Sequence, residues 1–118
     1  MKGDVMRILI LEDEPIIAID LEEIVLSKLD AEVVVASTAE EGLRHLAQGI
    51  DFAMLDINLG SPRTTSLPVA KQLLKKRIPF CFISSSLETL PNNFGAVPRV
   101  SKPFRATEIA GVLPAAAA

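Results

Sequence analysis

Residues 52–60 read FAMLDINLG: an apolar strand, Phe52-Ala53-Met54-Leu55-Asp56, closed by a carboxylate and followed at once by a turn, Ile57-Asn58-Leu59-Gly60. A carboxylate is costly to bury, so one at the end of an apolar strand either projects from a sheet edge or serves a site. Working outward, three more apolar runs end in polar residues of a matching kind. Residues 7–11, RILIL, lead to Glu12-Asp13; Phe80-Cys81-Phe82-Ile83 leads to Ser84; Val100-Ser101 leads to Lys102. If those strands are parallel neighbours, two acidic groups, a central carboxylate, a hydroxyl and a lysine meet at one edge. That set suits a phosphorylatable aspartate beside a bound divalent cation.

Strand and helix signals alternate along the chain, which points to an α/β fold of βα units around a parallel sheet. Arg7 to Leu11 has the unbroken apolar character of a strand covered on both faces. Asp13 is expected to cap a first helix with Glu14 and Pro15 in its first turn. Along it Ile17, Leu21, Ile24, Val25 and Lys28 follow helical spacing, with Asp20, Glu22 and Glu23 on the wetter side. Glu32 to Ala36 reads as a second strand. Ser37-Thr38-Ala39-Glu40 reads as a capping box opening a helix through Ala47, with Gly49 ending it. After the third strand a polar loop is expected to run to Ser66. Ser66 would cap a helix from Leu67 to Lys76, with Val69, Leu73 and Leu74 facing inward. Pro79 to Ile83 forms the fourth strand and Arg99 to Ser101 the fifth, and a last helix runs from about Arg105 to Leu113, before Pro114. Between Ser84 and Lys102 about a dozen residues remain for a crossover, the practical minimum. Pro91, Asn92, Asn93, Gly95 and Pro98 favour turns there, so the fourth helix is expected to be shortened or replaced by a loop.

The 118 residues make one domain, 1–118, with 115–118 expected as a disordered tail. Hydrophobic residues at 49% and charged residues at 23% are ordinary for a globular chain. A net charge of -3 gives no broad basic face for nucleic acid. The single cysteine, Cys81, lies in an apolar strand, which excludes a disulfide framework and is read as a core position. With no apolar run of membrane-spanning length and no signal peptide, the expected setting is the cytoplasm, with no membrane contact.

In open α/β sheets, sites form outside the carboxyl ends of the strands, and a common flavodoxin-like order is 2-1-3-4-5. That (βα)5 order, taken as a template, brings Asp13, Asp56, Ser84 and Lys102 to one edge. Asp56 would be the nucleophile that takes a phosphoryl group as an acyl phosphate. Glu12, Asp13 and Asp56, with the backbone carbonyl of Asn58, would hold Mg²⁺ together with several waters. Lys102 would set a point charge on the phosphoryl oxygens, and Ser84, with Ser85 beside it, would bind the phosphoryl group and report its presence.

These residues resemble the response-regulator receiver domains of two-component signalling. The resemblance is carried by "LILEDEP" at Glu12-Asp13, "MLDINLG" at Asp56, "FCFISSS" at Ser84 and "VSKPF" at Lys102-Pro103-Phe104, and it covers nearly the whole chain. It implies that Asp56 receives phosphate from a histidine kinase or a histidine phosphotransfer protein, that Mg²⁺ is held by the acidic pair, and that the state of the site passes to an output protein. It also implies a cis Lys102-Pro103 bond. Residues 79–86 are similar to a receiver subgroup motif, Pro-Phe-x-Phe-Ala-Thr-Gly-Tyr, with Ser84 in place of the threonine and Ser86 in place of the tyrosine. The usual receiver switch aromatic, three residues before the lysine, is Arg99. The chain holds no Tyr or Trp, so its output is expected to travel through the loop between Leu87 and Pro98.

Singly, these residues have ordinary explanations. Glu12-Asp13 suits a solvated helix start, Asp56 a turn, and Ser84 and Lys102 a surface; it is their joint placement at four strand ends that points to a site. Arg99 reads as a phosphate or partner contact, or as an edge-strand charge. His45 is expected to face solvent, and Phe104 to pack the start of the last helix. Two other functions share the residues: a Mg²⁺-dependent phosphatase with an aspartyl nucleophile, and a pseudo-receiver that binds partners whatever its phosphorylation. The phosphatase would need an acid/base carboxylate two residues after Asp56, where this chain has Asn58.

Overall fold

Met6–Leu11 forms the first strand, β1, and its last four residues are aliphatic and buried. Alternation sends Ile8 and Ile10 to one face of the sheet and Leu9 and Leu11 to the other, so β1 needs helices on both sides. The computed structural model, which describes residues 5–61 and 64–114, provides them. β1 lies between β2 (Ala31–Ala36) and β3 (Phe52–Leu55), and β6 (Phe80–Ser84) and β7 (Arg99–Ser101) complete the sheet. All four pairings are parallel, in the order β2-β1-β3-β6-β7. Counting the five main strands alone, this is the expected 2-1-3-4-5.

Helices α1 (Pro15–Lys28) and α4 (Ala106–Val112) pack on the Ile8/Ile10 face, with Leu21, Ile24, Val25 and Ile109 in the core. The Leu9/Leu11 face is covered by α2 (Ala39–Ala47) and α3 (Leu67–Lys76). Cys81 is buried on the Ile8/Ile10 face, and burial pushes its thiol up to about 12. The crossover from β6 to β7 holds two single 3₁₀ turns, Leu87–Thr89 and Asn92–Phe94, and the expected replacement of the fourth helix is what is observed. No helix among the described residues is long and apolar enough to cross a membrane.

Several local expectations are corrected. Glu14, not Asp13, is the N-cap of α1, and the Glu12 carboxylate accepts the Glu14 N–H at 3.1 Å. The α2 cap sits one residue later than the box reading: Thr38 Oγ1 accepts from Glu41 N, while Glu41 Oε1 accepts from the Ser37 N–H and hydroxyl. The loop after β3 contains a small antiparallel hairpin, β4 (Asn58–Ser61) with β5 (Thr64–Thr65), where Gly60 takes a φ of 87° that favours glycine. Ser66 precedes α3 but makes no side-chain cap, and Leu74 is 40% exposed because it lies on the outer side of α3. His45 is half-buried rather than open to solvent. The expected tail, residues 115–118, lies outside the described residues.

Candidate functional site

Each parallel strand ends on the same side of the sheet, so the residue after it emerges at one edge. Glu12 follows β1 and Asp56 follows β3; the backbone ladder holds both, with Glu12 N donating to Ala36 O and Asp56 N to Leu11 O, each at 2.9 Å. Ser84 closes β6, and Lys102, just past β7, donates its N–H to Ser84 O at 3.1 Å. Four residues separated by up to ninety positions are thereby set side by side. The Lys102–Pro103 bond is cis, as expected.

A cavity of about 300 Å³ opens at this edge, lined by Asp13, Glu14, Asp56, Asn58, Gly60, Ser84, Ser85 and Lys102. The Lys102 ammonium donates to Glu12 Oε1 and to Asp56 Oδ2, each at 2.8 Å. The other Asp56 oxygen accepts the Ile57 N–H at 2.7 Å. Both acids are buried, Glu12 to 3% exposure and Asp56 to 8%. Burial pushes Glu12 up to about 7 against the pull of Lys102, and the nearby Asp56 charge adds to the rise. For Lys102, burial acts downward, but the hydrogen bonds to Asp56 and Glu12 and their charges carry its pKa above the ordinary lysine value.

Carboxylate oxygens of Glu12, Asp13 and Asp56 lie within 4.8 Å of one another. An all-oxygen donor set carrying more negative charge than its one lysine offsets fits a hard divalent cation such as Mg²⁺. Asn58 also lines the cavity, and its side-chain Nδ2 donates to Ser86 Oγ at 2.9 Å, a bond not anticipated from the residue types. The Ser86 N–H in turn donates to Ser84 Oγ at 3.0 Å.

The structure thus brings together Glu12, Asp13, Asp56, Asn58, Ser84, Ser85 and Lys102. Arg99 is not among the lining residues: its guanidinium donates to Phe94 O at 2.6 Å and to Val97 O at 3.2 Å, which engages it with the β6–β7 loop. Sequence reading passed over Glu14 and Gly60 as lining residues, and over Ser86, which does not line the cavity but bonds to Asn58 and Ser84. Ser86 had one usable signal, its place two residues beyond the strand-end hydroxyl at the start of a turn-rich loop.

No family model matches the chain, and no curated protein does. Solved structures do. The chain is 34% identical to SdrG from Sphingomonas melonis Fr1, with a TM-score of 0.77 and coverage of 92% of this chain and 93% of that one. It is 25% identical to the receiver (REC) domain of the Erythrobacter litoralis response regulator PhyR, with a TM-score of 0.78 and coverage of 92% and 86%. It is 31% identical to the response regulator PhyR from Brucella abortus, with a TM-score of 0.76, and covers 49% of that longer chain.

Proposed function

Since the chain belongs to the response-regulator receiver domains, we propose that it accepts a phosphoryl group on Asp56 from a phosphohistidine and passes that state to a partner protein. The observation that carries this reading is the Lys102 ammonium seated 2.8 Å from Asp56 Oδ2 at the mouth of an acidic, oxygen-lined cavity. In the transfer, an Asp56 carboxylate oxygen forms the new O–P bond while the donor's N–P bond breaks, and the imidazole leaves with the electron pair and takes up a proton. Asp56 is held for this by the Ile57 N–H on one oxygen and Lys102 on the other, so its carboxylate orientation is fixed in advance. Lys102 then offers its charge to the phosphoryl oxygens, and Ser84 offers a hydroxyl proton.

Glu12, Asp13, Asp56 and the Asn58 carbonyl would hold Mg²⁺, which when bound neutralises charge on the phosphoryl oxygens. A histidine kinase or histidine phosphotransfer protein is the donor implied, and residues 79–86 support a place in the Pro-Phe-x-Phe-Ala-Thr-Gly-Tyr subgroup. A turnover phosphatase finds no support at position 58, because an amide does not exchange protons as a carboxylate does.

Incubation with acetyl phosphate and Mg²⁺ tests the proposal. Intact mass should show one added phosphoryl group per chain, removed by hydroxylamine and absent in Asp56→Asn. Labelling that survives Asp56→Asn would sink the assignment, and repeated turnover of a phosphate ester would favour the phosphatase.

A further inference from the structure

Four hydrogen bonds converge on Ser86. Its hydroxyl accepts from Asn58 Nδ2 and its N–H donates to Ser84 Oγ. Its carbonyl accepts from both the Thr89 hydroxyl, at 2.7 Å, and the Thr89 N–H, at 3.0 Å. One residue therefore touches the turn after the acceptor, the strand-end hydroxyl and the first 3₁₀ turn of the β6–β7 loop.

Ser84 Oγ spends a lone pair on the Ser86 N–H and keeps its own proton to donate. Donation of that proton to an anionic oxygen polarises the hydroxyl and strengthens what it accepts, so a group on Asp56 pulls on Ser86 through Ser84. Asn58 supplies a second input. It lies two residues beyond Asp56, lines the same cavity, and carries Ser86 by its side-chain amide.

The far end of the loop is anchored. Phe94 is fully buried and packs edge-on against Phe82 with ring centres 5.6 Å apart, while Arg99 holds the Phe94 and Val97 carbonyls. Between Ser86 and that anchor, Leu87–Leu90 is held by short 3₁₀ bonds, with Glu88 and Thr89 exposed. A displacement that enters at Ser86 would meet this anchor at the far end of the loop.

We propose that Ser86 is the positioning residue that couples the Asp56 site to Leu87–Leu90 through its hydroxyl bond to Asn58, and that Arg99 sets where the response stops. This rests on the acceptor reading above. It assigns a hydroxyl and a guanidinium to a task for which the chain has no tyrosine or tryptophan.

Amide spectra of the full chain with Mg²⁺, before and after beryllofluoride, test it in wild type, Ser86→Ala and Ser86→Thr. Wild type should show shifts at Asp56, Asn58, Ser84 and Lys102 and across Leu87–Leu90, but little change from Phe94 to Val97. Ser86→Ala should keep the Asp56 and Lys102 shifts while the Leu87–Leu90 shifts fall by about half or more, since one of two hydrogen-bonded inputs is gone. Ser86→Thr, which keeps the hydroxyl, should restore them; a merely structural role for Ser86 would give no such rescue. Undiminished Leu87–Leu90 shifts in Ser86→Ala, or a wild-type response that runs through Phe94–Val97, would overturn the inference alone. Silence at Asp56 and Lys102 in wild type would overturn the acceptor reading and the inference with it.

Discussion

Lys102 is the counter-charge of two buried acids. Its ammonium bridges Glu12 and Asp56, both nearly closed off from water, at 2.8 Å each. Lys102→Ala leaves two buried carboxylates facing each other without a counter-charge, and removal of one partner from a buried pair typically costs about 3 kcal/mol. Urea unfolding without divalent cation, at a pH above the raised Glu12 value so that both acids are ionised, should show a loss of that order. Adding Asp56→Asn to Lys102→Ala should recover part of it, because the repulsion then has one partner only. If the double variant is no more stable than Lys102→Ala alone, the loss comes from packing of the lysine stem and the electrostatic account fails. At this scale the residue types were legible, because a carboxylate, a hydroxyl and a lysine at strand ends each need a reason. The partners of Ser86 and Arg99 were not, since they depend on the path of a loop that composition alone leaves open.

Among the elements, α2 shows how neighbouring signals compete. Ser37 and Thr38 are both hydroxyl caps, and Glu40 and Glu41 both lie within reach, so the box can form in two frames. The structure takes the Thr38 frame, in which Glu41 N reaches Thr38 Oγ1 at 3.1 Å and the Glu41 carboxylate gathers the Ser37 N–H at 3.2 Å and the Ser37 hydroxyl at 3.0 Å. Thr38→Ala should therefore cost about 1 kcal/mol, measured by urea unfolding, while Ser37→Ala costs less. Hydrogen bonds from the Ser37 backbone and then its hydroxyl hold the Glu41 carboxyl below its ordinary value. A carboxyl lowered in the folded state stabilises above its unfolded pKa, and that contribution disappears as pH falls through the folded value. The stability gap between wild type and Glu41→Gln should accordingly be present at neutral pH and close in strong acid; a gap that persists in acid would show that the charge is not its source. The β6–β7 crossover was legible for the opposite reason: two prolines, two asparagines and a glycine leave no helical alternative to compete. The β4–β5 hairpin was missed because its strands are short and polar, with no alternating apolar face to mark them.

Across the whole molecule, the strand order settles what the site can do. Continuous apolar runs in β1, β3 and β6 require cover on both faces, and parallel βα units then place every strand's carboxyl end on one side. This much follows from hydrophobic pattern and chain handedness, which is why the fold and the gathering of the strand-end residues were legible together. The same topology has a thermodynamic consequence. The oxygens of Glu12, Asp13 and Asp56 meet only when β1 and β3 are paired, so the unfolded chain has no such cluster. A divalent cation that binds there binds the folded state alone, and mass action makes its binding energy folding energy. At a free Mg²⁺ tenfold above its Kd the gain is about 1.4 kcal/mol, which for a domain of this size moves the thermal midpoint by about 5 °C. Calorimetry across a Mg²⁺ titration should show that rise, growing with the logarithm of concentration, and Asp13→Asn should flatten it. Because Asp13 is not the α1 cap and only part-buried, its loss should leave the midpoint without Mg²⁺ nearly unchanged. A rise of equal size in Asp13→Asn would place the ion elsewhere and remove the carboxylate cluster as its site.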